Sequence, residues 1–461
     1  MTLQEESRWR RMGAGICLSL FLVCTALYSV FQTTGETRHS IQGWDEQHYY
    51  AYARSLAIDG DLDFTNEYTH FYNNPFAADQ PDEISKRTAT GLVPNRYAVG
   101  MGLLLAPTIW LGHAATWIAN AVLGRQLPYD GYSACYTYLY SLANILIGWI
   151  GIALSWRLAA RFAGERAAAL ALPAVLLGTS LFAYCTIQVP NPHTTNVGLA
   201  GVYFWWLVRS DAARSKRATF GLGCLNGFMA AVRYTDVVMG AAYAVRELIR
   251  MVSSRPRERV RILFARASHW TLYAVGGFLG AAPQLIVWKR LYGAFFVDSY
   301  EGQGFDWLRP ELLNTLFSTR NSLFVYAPVV LLCAIGLVVA GMRGQAKWSL
   351  SLSAPWLALW YINSAWCIWW FGASFGARAM LACWPVWLIG FAWLIERVLG
   401  GDAARAAWRR AGLLAAASAV CVAWTVLMAV LYFSGRIGHE TGFTGEELLK
   451  ALGEVAAYVL P

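Results

Sequence analysis

The sequence predicts an all-α, polytopic membrane fold, and three observations carry that prediction. Of the 461 residues, 57% are hydrophobic and only 14% charged, against about 25% charged in ordinary soluble chains. Apolar runs of roughly 17–22 residues, long enough to cross a ~30 Å hydrocarbon core, recur along the whole chain. Lys and Arg cluster in the short stretches between these runs, as they do in cytoplasmic loops. This composition excludes a soluble enzyme, a disordered protein and a secreted disulfide scaffold. The net charge of +9 does not point to nucleic acid, because the basic residues share no face. The nine Cys are scattered, mostly inside apolar runs, and form no CxxC motif. Cys367 and Cys383 flank one predicted external loop, but a free Cys is mostly a small hydrophobe.

Residues 12–31 form the first span. Arg8, Arg10 and Arg11 precede it and place the N-terminus in the cytoplasm. No small-x-small cleavage site follows, so the span reads as an anchor helix. Residues 32–131 then form the first external loop, polar and rich in Asp, Glu, Tyr and Asn as far as residue 95. The apolar run 97–122 lies within it. A single crossing there would turn Arg157, Arg161 and Arg166 outward, and Arg209, Arg214, Lys216 and Arg217 with them, against the charge rule. Gly100, Gly102, Gly112 and Pro107 also disfavour one straight helix. The run therefore reads as a juxtamembrane or re-entrant element. The remaining spans are 132–156, 167–188, 194–209, 218–233, 236–250, 268–288, 321–341, 348–365, 379–396 and 411–433. That gives about eleven crossings, with most Lys and Arg inside and most acids outside. No repeat, low-complexity tract or soluble domain stands out. Residues 1–461 read as one integral membrane domain, with 434–461 an amphipathic external tail.

The first external loop carries the acids of interest. Gly43-Trp44-Asp45-Glu46 opens a helix in which Tyr49, Ala53 and Leu56 share an apolar face at i, i+4, i+7 spacing. Asp45 and Glu46 suit the positive end of a helix dipole. A carboxylate at the membrane surface also suits a general base that accepts a proton from an attacking hydroxyl or amine. Asp59-Gly60-Asp61-Leu62-Asp63 matches a calcium loop at three alternate positions. Phe64 stands where the loop needs its turn glycine, and His70 where it needs a bidentate acid. A solvated turn fits better, and a divalent cation stays open. Lys86, Arg87 and Arg96 close the loop. Basic residues on the external side run against the charge rule, so they read as contacts to lipid headgroups or as a phosphate clamp.

Three further groups fall at the same edge of the membrane. Gln188-Val189-Pro190-Asn191-Pro192-His193 is a rigid turn presenting Asn191 and His193. Arg233-Tyr234-Thr235-Asp236 puts an arginine at a costly depth unless it meets an anion or pairs with Asp236. Trp366 to Arg378 contains Trp369, Trp370 and a Gly372-x-x-x-Gly376 spacing that allows close backbone approach before Arg378.

Taken in order, these pieces resemble the polyprenyl-phosphate-dependent membrane glycosyltransferases of the GT-C superfamily. The similar branch includes protein O-mannosyltransferases (glycosyltransferase family 39) and the lipid A aminoarabinose transferase. The resemblance rests on Asp45-Glu46 with Tyr49 and Ala53, on Arg96-Tyr97-x-x-Gly100, and on Arg233-Tyr234. It rests also on Leu316-Phe317-Ser318-Thr319-Arg320-Asn321-Ser322 running on to Ala327-Pro328, and on Trp369 through Arg378. It implies a GT-C fold with juxtamembrane helices in the first external loop. It implies transfer of a sugar from a polyprenyl-phosphate donor to a lipid, glycan or protein acceptor on the periplasmic or external face of the inner membrane, by single displacement with inversion. Asp45 matches the family's base, with Glu46 assisting. Arg96 best matches the phosphate-binding cations, joined by Arg233 and Arg378, with Tyr97, Asn191, His193 and Trp370 completing the substrate site. The chain departs from the family where several members place a second acid, since Asn191 and His193 stand there. It also lacks the large soluble C-terminal domain of some members. A lipid-linked sugar flippase and an O-antigen polymerase or ligase are the competing functions. Transporters commonly show paired repeats and midplane acids, and neither is evident here. A non-catalytic assembly partner would have no need of Asp45 together with Arg96 and Arg378.

Overall fold

In a computed structural model, the chain is described over residues 2–34, 41, 43–72, 82–211, 215–300, 302–400 and 404–459. The described residues are helical, with no strand among them beyond two isolated bridges. The parts of the predicted loop 32–95 that fall on 35–40, 42 and 73–81 lie outside the described residues.

Seven helical stretches among the described residues are long and apolar enough to cross a bilayer: Leu3–Thr33, Gly100–Leu123, Ala134–Leu177, Pro256–Tyr292, Val329–Ala365, Arg378–Leu399 and Trp408–Phe433. Two of these contain a break. α1 (Leu3–Thr34) leads to α2 (Trp44–Arg54), then α3 (Thr65–Tyr72) and α4 (Gly100–Leu123). α5 (Ala134–Leu177) bends at Gly164, whose φ of 84° and ψ of 157° leave the helical region, so it consists of two arms. α6 (Pro192–Arg209) and α7 (Lys216–Val232) follow. A 3-10 turn, Tyr234–Gly240, feeds α8 (Ala241–Val252), and α9 (Pro256–Tyr292) begins with proline at its first position. α10 (Val329–Ala340) and α11 (Ala346–Ala365) are joined across Arg343 and Gly344. The Ser349 hydroxyl donates to the Leu337 carbonyl at 2.7 Å, so α11 folds back along α10. A second 3-10 turn, Arg378–Cys383, opens α12 (Trp384–Leu399), and α13 (Ala404–Phe433) and α14 (Gly445–Val459) close the chain.

Each of the eleven predicted spans is helical, but several boundaries move. The span placed at 167–188 stops at Leu177, where Gly178 and the turn after it release the chain. The span placed at 321–341 starts at Val329, because residues 318–328 are occupied by turns and one helical turn, Leu323–Tyr326. The span placed at 268–288 is longer, since helix α9 continues through the charged stretch beginning at Pro256. Cys367 and Cys383 are both free, one exposed and one buried.

Close backbone approach holds the bundle together. In α7, Gly223 and Gly227 face the Tyr273 and Gly277 carbonyls of α9, and Gly276 and Gly280 face Phe220 and Cys224 in return. A Cβ at any of the four would collide with those carbonyls, which is the small-xxx-small packing that membrane helices use. α12 is largely enclosed: Trp384, Trp387 and Phe391 are buried between α5 and α10. By contrast Leu18 and Leu22 of α1, and Trp408, Leu413 and Val420 of α13, are exposed, as helices facing lipid tails would be.

α4 runs against the first-loop helices. Gly102 abuts Tyr52 and Ala53, Trp110 Nε1 donates to the Ala57 carbonyl at 3.0 Å, and Tyr136 meets His113 at 3.0 Å. A buried ion pair steadies this layer: Arg54 reaches Glu67 at 2.6 Å and Asp59 at 2.5 Å, and stacks on Tyr132. The tail helix α14 buries Ala451 against the cluster that contains Tyr432 and Phe443.

Candidate active site

The first turn of α2 holds Asp45 and Glu46, where free helix N–H groups favour negative charge. Gly43 precedes it with φ 89°, and a Cβ there would collide with the Glu46 carboxylate that folds back over it. Beside α2 runs the strip 95–97. Asn95 Nδ2 donates to the His48 carbonyl at 3.0 Å, and the Tyr97 hydroxyl donates to Asp45 Oδ1 at 2.5 Å. The turn before α12 supplies Arg378. Its Nη2 stands 3.0 Å from Asp45 Oδ2 and donates to the Phe371 carbonyl at 3.0 Å.

The two neighbouring carboxyls are pushed apart. Burial opposes the Asp45 charge, but Arg378 and the Tyr97 hydroxyl outweigh it and hold this carboxyl below the usual range. Glu46 is 6% exposed. Burial, and then the Asp45 charge, raise its carboxyl to about 8. At neutral pH Asp45 is therefore ionised and Glu46 protonated, the split that acid–base sites use. Burial also pushes the Tyr97 phenol well above its ordinary value, so it remains a donor.

Arg233 ends α7 in extended backbone. Its Nη1 donates to the Ala379 carbonyl at 3.0 Å and meets His193 Nδ1 at 3.3 Å, and its guanidinium lies 5.5 Å from the Phe371 ring centre. With Arg233 as donor, His193 accepts on Nδ1 and carries its proton on Nε2. The Arg233–Asp236 pair weighed from the sequence is not formed. Asp236 is fully buried and neither carboxylate oxygen has a partner among the described residues. Arg96 sits about 6 Å from the rings of Trp44, Tyr97 and Tyr300. Its carbonyl accepts from Tyr234 at 3.2 Å and Ser299 at 2.9 Å.

Of the residues singled out from the sequence, Asp45, Glu46, Tyr97, Arg233, His193 and Arg378 thus belong to one connected cluster, with Arg96 at its aromatic edge. Asn191 has a different role. Its Oδ1 caps α6 by accepting from Thr194 N–H at 2.9 Å, and its Nδ2 donates to the Tyr184 and Gln188 carbonyls. The side chain is fully engaged in the fold, and the Asn-Pro-x-Thr pattern was the available signal for an N-cap followed by proline. Trp370 is set one residue to the side, with Arg320 stacked on its face 3.3 Å from the ring centre. Lys86 is exposed, and Arg87 bonds to the Ile84 and Lys86 carbonyls. The Asp59–Asp63 run makes turns. Asp61 Oδ1 accepts from Ser55 and from Asp63 N–H, and Asp63 Oδ1 accepts from Thr65. Among the described residues no group of three or more His, Cys, Asp or Glu is placed to hold a metal.

Sequence reading missed Tyr300, and it named Arg320 only within the stretch that carries the family resemblance, without a role in the site. Tyr300 comes from the loop after α9 and packs 6.1 Å from the Tyr97 ring centre. Nothing in its local sequence marks it. Arg320 had a signal, a charged residue at the lip of an apolar run.

No family model matches the chain, and no curated protein matches it in sequence. Solved structures do. ArnT from Cupriavidus metallidurans bound to undecaprenyl phosphate aligns with a TM-score of 0.51 and 14% identity, over 90% of this chain and 70% of that one. The same protein in its apo state gives a TM-score of 0.49 and 16% identity, over 82% of this chain and 59% of that one. The chain therefore spans between 59% and 70% of ArnT's length. At this identity the likeness is one of fold: the chain is an all-α, multi-pass membrane protein built on the GT-C fold.

Proposed function

We propose that this protein is a membrane glycosyltransferase that takes a sugar from a polyprenyl-phosphate donor and passes it to a lipid, glycan or protein acceptor. The observation that carries the reading is the junction of an ionised Asp45 with Arg233, an arginine that no carboxylate neutralises among the described residues. One group can take a proton where the other can receive an anion. The structure of ArnT with undecaprenyl phosphate, on the same fold, supports a lipid-phosphate donor.

In this mechanism an acceptor hydroxyl or amine attacks the anomeric carbon from the face opposite the phosphate. Asp45 takes its proton, with the protonated Glu46 assisting beside it. A new bond forms to the anomeric carbon as the carbon–oxygen bond to phosphate breaks, and that electron pair leaves with the lipid phosphate. Single displacement inverts the configuration. Arg96 and Arg233 stabilise the charge that develops on the leaving phosphate. Arg378 serves the other half of the reaction by keeping Asp45 ionised and aimed. The arginine-rich start of α1, where Arg10 pairs with Glu165, lies at the end of that helix away from Asp45. By the positive-inside rule this supports a site on the periplasmic or external face of an inner membrane.

The test is lipid mass spectrometry on cells with and without the protein, and with Asp45→Asn. Accumulation of one polyprenyl-phosphate sugar in the knockout and in Asp45→Asn alike supports the reading and names the sugar. Unchanged lipid-linked sugars would remove its main support. Accumulation in the knockout while Asp45→Asn behaves as wild type would favour a flippase.

A further inference from the structure

We propose that a pocket between the first arm of α5 and the end of α6, walled by Arg157, Arg161 and Arg209, binds the headgroup of an anionic phospholipid of the cytoplasmic leaflet. This goes beyond the transferase reading and does not depend on it.

The pocket lies far from the reaction centre. His193, in the first turn of α6, meets Arg233, whereas Arg209 ends the same helix roughly 24 Å along its axis. The two helices touch backbone to backbone where Gly151 meets Gly198 and Gly201, and the pocket opens beyond that crossing. Leu154, Arg157, Leu158 and Arg161 share one face of α5 at i, i+3, i+4, i+7 spacing. Trp205 and Arg209, one turn apart, complete the wall, and the space they enclose is about 340 Å³, within the range of small-ligand sites.

Arginines at a cytoplasmic helix end are the rule, and most need no ligand. What sets these apart is that they converge without being neutralised. Arg10 and Arg157 share Glu165 at 2.9 and 3.2 Å. Arg161 and Arg209 are exposed and meet no carboxylate among the described residues, so the pocket keeps a surplus of positive charge. Two of its guanidinia are steadied by rings: Arg209 lies 5.1 Å from the Trp205 ring centre, and Arg157 lies 5.3 Å from that of Trp156. A guanidinium held against a ring keeps its N–H edge for a phosphate.

Depth decides what kind of anion fits. Leu154 sits roughly 10 Å further into the bundle than Arg161 along α5, and Trp205 roughly 6 Å further in than Arg209 along α6. Below Leu154 the same stripe of α5 continues through Ile150 and Leu146, which are 48% and 52% exposed. A soluble anion would use only the mouth of this arrangement. A phospholipid uses all of it, with its phosphate among the guanidinia, Trp205 at the level where indoles meet headgroups, and an acyl chain along Leu154, Ile150 and Leu146. Basic pockets between membrane helices on the cytoplasmic side hold such headgroups. A zwitterionic headgroup brings its own cation and leaves the surplus charge unanswered, so the occupant is one with net negative charge.

The test titrates the full chain in detergent with phosphatidylglycerol and, separately, with phosphatidylcholine, and counts bound lipid by native mass spectrometry. One phosphatidylglycerol is expected to bind wild type ahead of any other. Arg161→Gln with Arg209→Gln should weaken that first site by at least ~10-fold, the scale set by two basic residues acting on an anionic headgroup. Arg257→Gln with Arg261→Gln removes the same charge from the exposed start of α9 and should leave the site as in wild type. Equal binding of the two lipids by wild type would overturn the proposal, and so would a pocket pair that binds like wild type. An equal loss in the α9 pair would overturn it too, by reducing the pocket to general surface charge. If the pocket pair does not fold, phosphatidylglycerol with a photoreactive acyl chain decides on wild type: crosslinks within 146–158 or at Trp205 support the site, and crosslinks confined elsewhere overturn it.

Discussion

Two charged clusters sit at opposite ends of the bundle, and they are built on different terms. Between α6, α8 and α9, Arg246 and Arg250 share Asp211 at 2.8 and 2.6 Å, and Arg250 and Arg266 share Glu247 at 2.8 and 2.7 Å. Every one of these arginines meets a carboxylate. At the Asp45 end the pairing is incomplete. Among the described residues Arg378 meets Asp45, but Arg233 and Arg320 meet no carboxylate, the Asp236 carboxylate has no partner, and Glu46 escapes its charge only by staying protonated. A buried, unpaired charge is expensive. A chain that satisfies one cluster so fully and leaves the other open carries that cost for a ligand, which is why the open cluster reads as the working one.

That contrast breaks most sharply at Arg233. Arg233→Gln keeps a donor for the Ala379 carbonyl and removes the charge. Transfer should fall by about 10²–10³-fold, the cost of losing one preorganised donor to developing negative charge. The melting temperature should stay within a few degrees of wild type. Donor build-up measured by lipid mass spectrometry, beside a melting curve, checks both halves. A large loss of stability with little loss of transfer would place Arg233 among the structural arginines. The mirror experiment is Arg266→Met. It removes one of the two arginines on Glu247 and leaves Arg250, so it should cost about 2 kcal/mol, the loss of charge-assisted hydrogen bonds and less than for a buried charge left unpaired. Transfer by the folded fraction should be unchanged.

These open and closed clusters were unequally legible in the sequence. Hydropathy located the long apolar helices, because a lipid-facing helix has no choice of composition, but the run read as a juxtamembrane or re-entrant element, 97–122, forms one 24-residue helix long and apolar enough to cross. Hydropathy could not locate the break at Gly178 or the turns at 318–328, where apolar residues continue through loops that other helices cover. Asp45 and Arg96 stood out as charges in unusual places. Tyr97 and Arg378 were singled out as well, but their pairing with Asp45 was not, since Arg378 is brought to it from the far end of the chain by the packing of α12. Asn191 was overread for the opposite reason. Its local role, capping α6, was written in the residues around it, and its position in an external turn drew attention away from them.

Arg378 tests how the open cluster tunes its base. Removing the guanidinium leaves Asp45 with burial, which raises its carboxyl, and only the Tyr97 hydroxyl and more distant charges to oppose it. Asp45 must be ionised to accept a proton, so transfer is lost on the acid side as pH falls through its folded pKa. In wild type that loss lies below the usual carboxylate range. In Arg378→Gln it should move up by at least about one pH unit, roughly 1.4 kcal/mol, and a pH–rate profile reads it. An unmoved acid limb would mean that Asp45 is not the group that titrates in the reaction.

Glu46 gives the smallest effect and the most specific sign. Its folded value of about 8 lies above the ordinary carboxyl value of 4.5 that it recovers on unfolding. Between those two values the folded state holds a proton that the unfolded state has released. Stability must then fall as pH rises through this window and level off above it. Asp45 does not confuse the reading, because its shift is downward and its titration is complete before the window opens. Glu46→Gln removes the titrating group while keeping a neutral side chain of the same size. It should melt like wild type near pH 4.5 and a few degrees higher near pH 8. Two parallel melting curves across that range would show that Glu46 is charged in the folded protein. Asp45 would then share its helix turn with a second anion, and the open cluster would hold one more negative charge than its arginines were counted against.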